Sequence, residues 1–195
     1  NPYIPQDYLD SLKLLPIHQY RVFVDGEWDV AMKVGNEFLR MFDTDLHIKP
    51  NNWDINNLIH VSLDSNVYPY IAVTIWQIEK DGIGWKIKQV NELPAADPIN
   101  TATKAGKNVG EWLNKIGYTM RIKQYGDKST KNRNNIDDNK KSFYDLFTEA
   151  IIKEGFKVED CLLKAAPPVA GIADFVNAIF AGEIPGLSIE IGENC

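Results

Sequence analysis

The strongest chemical signal in the sequence is a run of hard oxygen donors. Asp43 and Asp45 close an apolar stretch and open a loop that also carries Asp54 and four asparagines between positions 51 and 57. Calcium takes roughly six to eight oxygen ligands from flexible loops, and carboxylates two residues apart can face one ion. Asp43, Asp45 and Asp54 are therefore the candidate metal ligands, with calcium as the cation. Asp25 and Asp81 stand in other predicted turns that could share the same sheet edge. Turn chemistry accounts for the same residues, because Asp and Asn side chains mimic and cap backbone hydrogen bonds. An Asp-x-Asp after a strand also holds divalent ions against nucleotide sugars, but that architecture needs alternating βαβ units, which the sequence pattern does not predict.

Nucleophiles give less. None of His18, His47 and His60 has the spacing of a helical zinc pair. His60 shares a predicted strand face with Ser62, so a hydrolytic site would have to assemble from distant residues. Gly186-Leu187-Ser188-Ile189-Glu190 ends in the wrong residue for a nucleophile elbow. Gly82-Ile83-Gly84 is too short for a phosphate loop and opens a strand. Cys161 and Cys195 permit one disulfide, closing a loop of about 35 residues at ~3 to 4 kcal/mol in an oxidising setting. Otherwise they are two separate thiols.

Among the aromatic residues, Trp28, Trp76, Trp85 and Trp112 fall on element faces and are assigned to the core. Trp53, Tyr68 and Tyr70 are loop-borne, and are the candidate ligand-binding residues. Residues 121–141 hold seven basic and three acidic side chains, on a chain of net charge −6. The overall negative charge argues against general nucleic-acid binding. The charged loop also lacks aromatics to stack on single strands.

These residues need a frame. Tyr8, Leu9, Leu12 and Leu15 recur at helical spacing before Pro16. Alternation from Tyr20 through Asp25-Gly26 and Gly35-Asn36 to Phe42 predicts a three-stranded meander. Leu58 to Leu63, Tyr70 to Ile78 and Trp85 to Val90 read as strands, the second nearly apolar on both faces. Val109, Trp112, Leu113 and Ile116 mark a helix, and Tyr118 to Tyr125 a further strand. Residues 126–141 read as an exposed loop. Ser142 caps a helix with Asp145 at its third position. A last helix spans about 169–181, its face formed by Ile172, Phe175, Val176 and Ile179, and Leu187 to Ile191 alternate as a closing strand.

The chain has 195 residues, 44% hydrophobic and 25% charged, enough for one good core and incompatible with global disorder. No apolar stretch reaches the ~18 to 20 residues of a membrane-spanning helix. It opens Asn1-Pro2-Tyr3 without a signal-peptide pattern, as expected of a cleaved mature form or a piece of something longer. The expected fold is α+β: an antiparallel, sandwich-like sheet over about 18–125, with packed helices and a closing C-terminal strand. One domain is expected over 1–195, divisible into a sheet-rich body (1–125), a charged loop (126–141) and a helical part (142–195).

Without a catalytic constellation, the expected function is a non-enzymatic binding protein. It would be a secreted toxin, adhesin or effector component that recognises a protein, glycan or membrane surface, with a second copy of the chain among its partners and nucleic acid excluded. The Asp-bearing loops resemble those of C2-like calcium modules, which implies a calcium-dependent lipid or surface binder as one alternative. A hydrolase with a site assembled from distant residues is the other. The expected location is secreted or extracellular, with the cytoplasm as the alternative.

Overall fold

The computed structural model describes residues 24, 38–65, 70–131, 141–165 and 168–195. Contacts divide the chain into two compact units, Asn1–Met41 and Phe42–Cys195, and the elements that follow belong to the second. The predicted N-terminal helix, Trp28 and Tyr68 lie outside the described residues, as does nearly all of the meander predicted up to Phe42.

A short helix, α1 (Thr44–His47), leads into the edge strand β1 (Ile48–Lys49). Three longer strands, β2 (Ile59–Asp64), β3 (Tyr70–Asp81) and β4 (Gly84–Glu92), form an antiparallel meander, and β5 (Ala95–Ala96) pairs with the start of β3. Gly82 turns the β3–β4 hairpin at a φ of 57°, a left-handed conformation that glycine adopts without steric cost. Then come α2 (Ala102–Lys115), β6 (Ile122–Gly126), α3 (Phe143–Lys153), β7 (Val158–Asp160), α4 (Val169–Phe180) and β8 (Leu187–Gly192).

The sheet order is β1-β8-β4-β3-β2-β6-β7. Among the described strands, β2–β6, β6–β7, β4–β8 and β1–β8 pair in parallel. The fold is α+β, as expected, and β8 is the expected closing strand. The antiparallel sandwich is corrected to one mixed sheet. The reason is the crossover through α2: it returns the chain to the end of the sheet where β2 began, so β6 enters beside β2 in the same direction.

Helices α2 and α3 cover one face. Ile59, Val61 and Leu63 of β2 and Ile71, Val73 and Ile75 of β3 pack there with Val109 and Leu113 of α2 and Phe147 and Ile151 of α3, all buried. Alternation turns His60, Ser62 and Asp64 to the opposite face. The α2–α3 contact is close because α2 presents glycines. A Cβ on Gly106 would stand 2.4 Å from the Phe147 carbonyl oxygen, and one on Gly110 would stand 2.4 Å from the Glu154 Cβ. Ser142 and Asp145 form a reciprocal capping box that starts α3.

Helix α4 packs against β8 by its C-terminal end, where Asn177, Ile179 and Phe180 are buried. Of the predicted buried face, Ile172 and Phe175 are exposed. No described helix is long and apolar enough to cross a membrane. The disulfide that the sequence permits is not formed, and the two-thiol alternative holds: Cys161 and Cys195 are both free. Cys161 follows β7, and its N–H bonds to the Gln124 carbonyl on β6, whereas the Cys195 thiol faces the Gln89 carbonyl on β4. Strands β3 and β2 lie between β4 and β6. At about 4.8 Å per strand, the separation is well beyond disulfide reach.

Candidate active site at the carboxyl ends of two parallel strands

The parallel register of β2 and β6 sets His60 beside Lys123, Ser62 beside Tyr125 and Leu63 beside Gly126. One residue further on, Asp64 is the last residue of β2 and Asp127 the first residue after β6. Both carboxylates are exposed, and both sit where neighbouring parallel strands end. Adjacent strands are about 4.8 Å apart, so the two aspartates lie at the same end of the sheet, where its two neighbouring parallel strands finish. The carboxyl ends of strands in open α/β sheets are where such folds bind ligands.

Asp127 is built as a lasting anion. Its Oδ2 accepts a hydrogen bond from the Ser129 hydroxyl at 2.6 Å. That bond, with the N–H groups of Ser129 and Lys128, holds the carboxyl below its ordinary range. Its main-chain carbonyl accepts the Thr130 N–H at 3.0 Å, which begins a 3-10 turn over Lys128–Lys131.

Below the carboxylates, the His60 and Tyr125 rings stack at 5.6 Å, with His60 Nδ1 2.9 Å from the Tyr125 hydroxyl. Burial pushes the imidazole below its usual value, helped by Lys123 and opposed by Glu159. Burial also pushes the Tyr125 phenol up to about 12, aided by Cys161 and Glu159. The pair is a neutral, ordered floor under the charged rim.

The residues singled out from sequence lie elsewhere. Asp43 caps α1, accepting the N–H groups of Asp45 and Leu46, and Asp45 sits in the first turn of that helix. Asp54 accepts the N–H and the side-chain amide of Asn56, each at 2.9 Å. Among the described residues no group of three His, Cys, Asp or Glu side chains is arranged to hold a metal ion. Trp53 packs against Trp112, with ring centroids 6.1 Å apart. It shares with Asp54 an open groove of about 530 Å³ that Asn57, Glu79 and Lys88 also line. Tyr70 begins β3 and is 43% exposed. Of the tryptophans assigned to the core, Trp85 is 49% exposed and Lys80 lies over its ring.

No family model and no curated protein matches the chain. Solved structures do. The large terminase of a thermophilic bacteriophage is 16% identical with a TM-score of 0.50, covering 81% of this chain and 34% of that one. The same terminase in complex with ATP-gamma-S has a TM-score of 0.51 at 16% identity, covering 100% of this chain and 43% of that one. The P22 large terminase nuclease domain has a TM-score of 0.52 at 9% identity, covering 84% of this chain and 75% of that one. The chain is similar in fold to a terminase nuclease domain. It spans about a third to two fifths of the thermophilic-phage terminase chains it matches, 34% and 43%.

This likeness overturns two expectations drawn from the sequence. The non-enzymatic toxin, adhesin or surface binder is corrected, because the structures sharing the fold are terminases, one of them described as a nuclease domain. The exclusion of nucleic acid falls for the same reason. It rested on charge averaged over the chain, although residues 121–141, which contain Asp127, are locally basic. Secretion, calcium and a disulfide gain no support from these structures. Asp64 and Asp127 carry no local signal in the sequence: each stands in an ordinary turn context, and only the β2–β6 register joins them.

Proposed function

We propose that the chain is a nuclease that hydrolyses phosphodiester bonds in nucleic acid at the Asp64–Asp127 site. The observation that carries this reading is the placement of two exposed aspartates at the carboxyl ends of adjacent parallel strands. The fold likeness to terminases supports it.

The donor set suits a hard divalent cation. Magnesium is commonly held by one or two carboxylates, with water and substrate phosphate completing its octahedron, so a third protein carboxylate is not required. Asp64 and Asp127 would hold the ion. When bound, it supplies Lewis-acid polarisation of a phosphoryl oxygen and neutralises the charge that develops there. The Ser129 hydroxyl fixes the direction of one Asp127 oxygen and, with the N–H groups of Ser129 and Lys128, favours its charged form. Lys128, exposed next to Asp127, can draw the polyanionic backbone toward the carboxylates. Nothing in that arrangement reads bases, so the expected cleavage is insensitive to sequence.

The test is incubation of linear duplex DNA with the protein in Mg2+ or Mn2+, with and without EDTA, alongside Asp64→Asn and Asp127→Asn. The reading expects metal-dependent fragmentation that both variants lose. Cleavage that survives in both folded variants, or none in the wild type with either metal, overturns it.

A further inference from the structure

Asp127 lies beyond the last hydrogen-bonded pair of β6, so something other than the sheet must hold it in place. The 3-10 turn that its carbonyl begins ends at Lys131. The Lys131 ammonium pairs with Asp160 Oδ2, and Asp160 belongs to β7, the strand on the far side of β6. The other oxygen, Asp160 Oδ1, accepts the Tyr144 hydroxyl at 2.9 Å and the Leu162 N–H at 2.9 Å. Tyr144 comes from α3, is 2% exposed, and also reaches the Gln124 carbonyl on β6 at 3.0 Å. The Lys131 ammonium lies 5.0 Å from the centroid of the same tyrosine ring.

We infer that Lys131, Asp160 and Tyr144 form a strut that positions the Asp127 carboxylate for its divalent cation by tying the turn after β6 to the buried core. The inference rests on the nuclease reading. These are positioning residues: they act on the ion through Asp127. Each part has a distinct task. Tyr144 fixes the height of Asp160 from inside the domain, Asp160 presents a charged acceptor at the sheet edge, and Lys131 closes the turn onto it. Asp160 is well suited to this. Burial opposes its ionisation, yet Lys131, the Leu162 N–H and Tyr144 together hold its carboxyl below the ordinary range. Both side chains are exposed, so the ion pair alone would contribute little; the Tyr144 hydroxyl and the Leu162 N–H, both on Asp160 Oδ1, fix the carboxylate that Lys131 meets.

The experiment measures Mn2+ affinity by calorimetry in the full chain, with hydrogen exchange at the Thr130 amide as a second readout. Lys131→Met is expected to weaken Mn2+ binding about tenfold, as loss of an outer supporting contact does. It should also speed exchange of Thr130, whose N–H is bonded to the Asp127 carbonyl. Lys131→Arg restores both, and Asp160→Asn added to Lys131→Met costs little more than either alone. Unchanged Mn2+ affinity in Lys131→Met, with wild-type binding intact and lost in Asp127→Asn, overturns the strut while sparing the nuclease reading. A wild type that neither binds Mn2+ nor cleaves DNA overturns that reading and the strut's role with it.

Discussion

Leu63 pairs with Gly126 in a parallel ladder, so the residues that follow them, Asp64 and Asp127, lie at the same end of the sheet although 63 positions separate them along the chain. The juxtaposition is a property of topology. An antiparallel β6 would have carried Asp127 to the other end of the sheet.

Neutralising either carboxylate should cost activity far more than stability. Asp64→Asn or Asp127→Asn is expected to lower metal-dependent DNA cleavage on the order of 100-fold or more, as loss of a preorganised electrostatic group does. Both residues are exposed, so the melting free energy should change by no more than about 0.5 kcal/mol. Parallel cleavage assays and denaturant titrations check the two expectations together.

His60 should make stability depend on pH. Its folded value lies below the ordinary 6.5, because burial disfavours the imidazolium. The unfolded chain therefore takes up the proton first. Stability is complete above about pH 6.5 and declines as pH falls from there toward the folded value. His60→Gln, which keeps a polar group facing Tyr125, should flatten this part of the curve. Melting temperatures from pH 5 to pH 8 test it, and an unaltered slope in the variant contradicts the assignment.

Gly106→Ala should destabilise the protein despite alanine's better helix propensity. The gain is ~1 kcal/mol in an exposed helix. Here the added methyl would meet the Phe147 carbonyl oxygen at 2.4 Å and force α2 and α3 apart. Overpacking of this kind costs about 1 to 3 kcal/mol. Urea unfolding should show a lower midpoint. A higher one would mean that the helices separate at little cost.

Gln77 is a second sensitive position. It is fully buried on β3; its side-chain amide donates to the Asp54 carbonyl at 2.6 Å, and its carbonyl accepts the Asp54 N–H at 3.1 Å. Gln77→Leu leaves those loop groups without partners, at roughly 1 to 3 kcal/mol. The melting temperature should drop, with faster exchange of the Asp54 amide as the local signature.

Local structure is legible in the sequence wherever local rules decide it. Ser142 and Asp145 announce the start of α3, and the apolar run from Tyr70 to Ile78 announces a central strand. Gly82 marks the hairpin between β3 and β4. Topology is not legible, because the direction in which Ile122–Gly126 joins the sheet is set by its pairing with Ile59–Leu63 across the α2 crossover. The site shares that fate. Asp64 looks like the first residue of a turn and Asp127 like part of a charged loop. Asp43, Asp45 and Asp54 draw attention because they cluster in sequence, yet Asp43 and Asp54 are engaged with nearby backbone and Asp45 belongs to the helix that Asp43 caps. Trp85 departs from its expected place: its strand face is right for a core, but its ring stays half exposed.

The most direct test of the Asp64–Asp127 site is Mn2+ titration followed by broadening of backbone amide signals. The amides of Asp64, Gly126, Asp127 and Lys128 should broaden first, while those of residues 43–57 stay sharp. Broadening that begins at Asp43, Asp45 and Asp54 and spares Asp127 would contradict the assignment of the site.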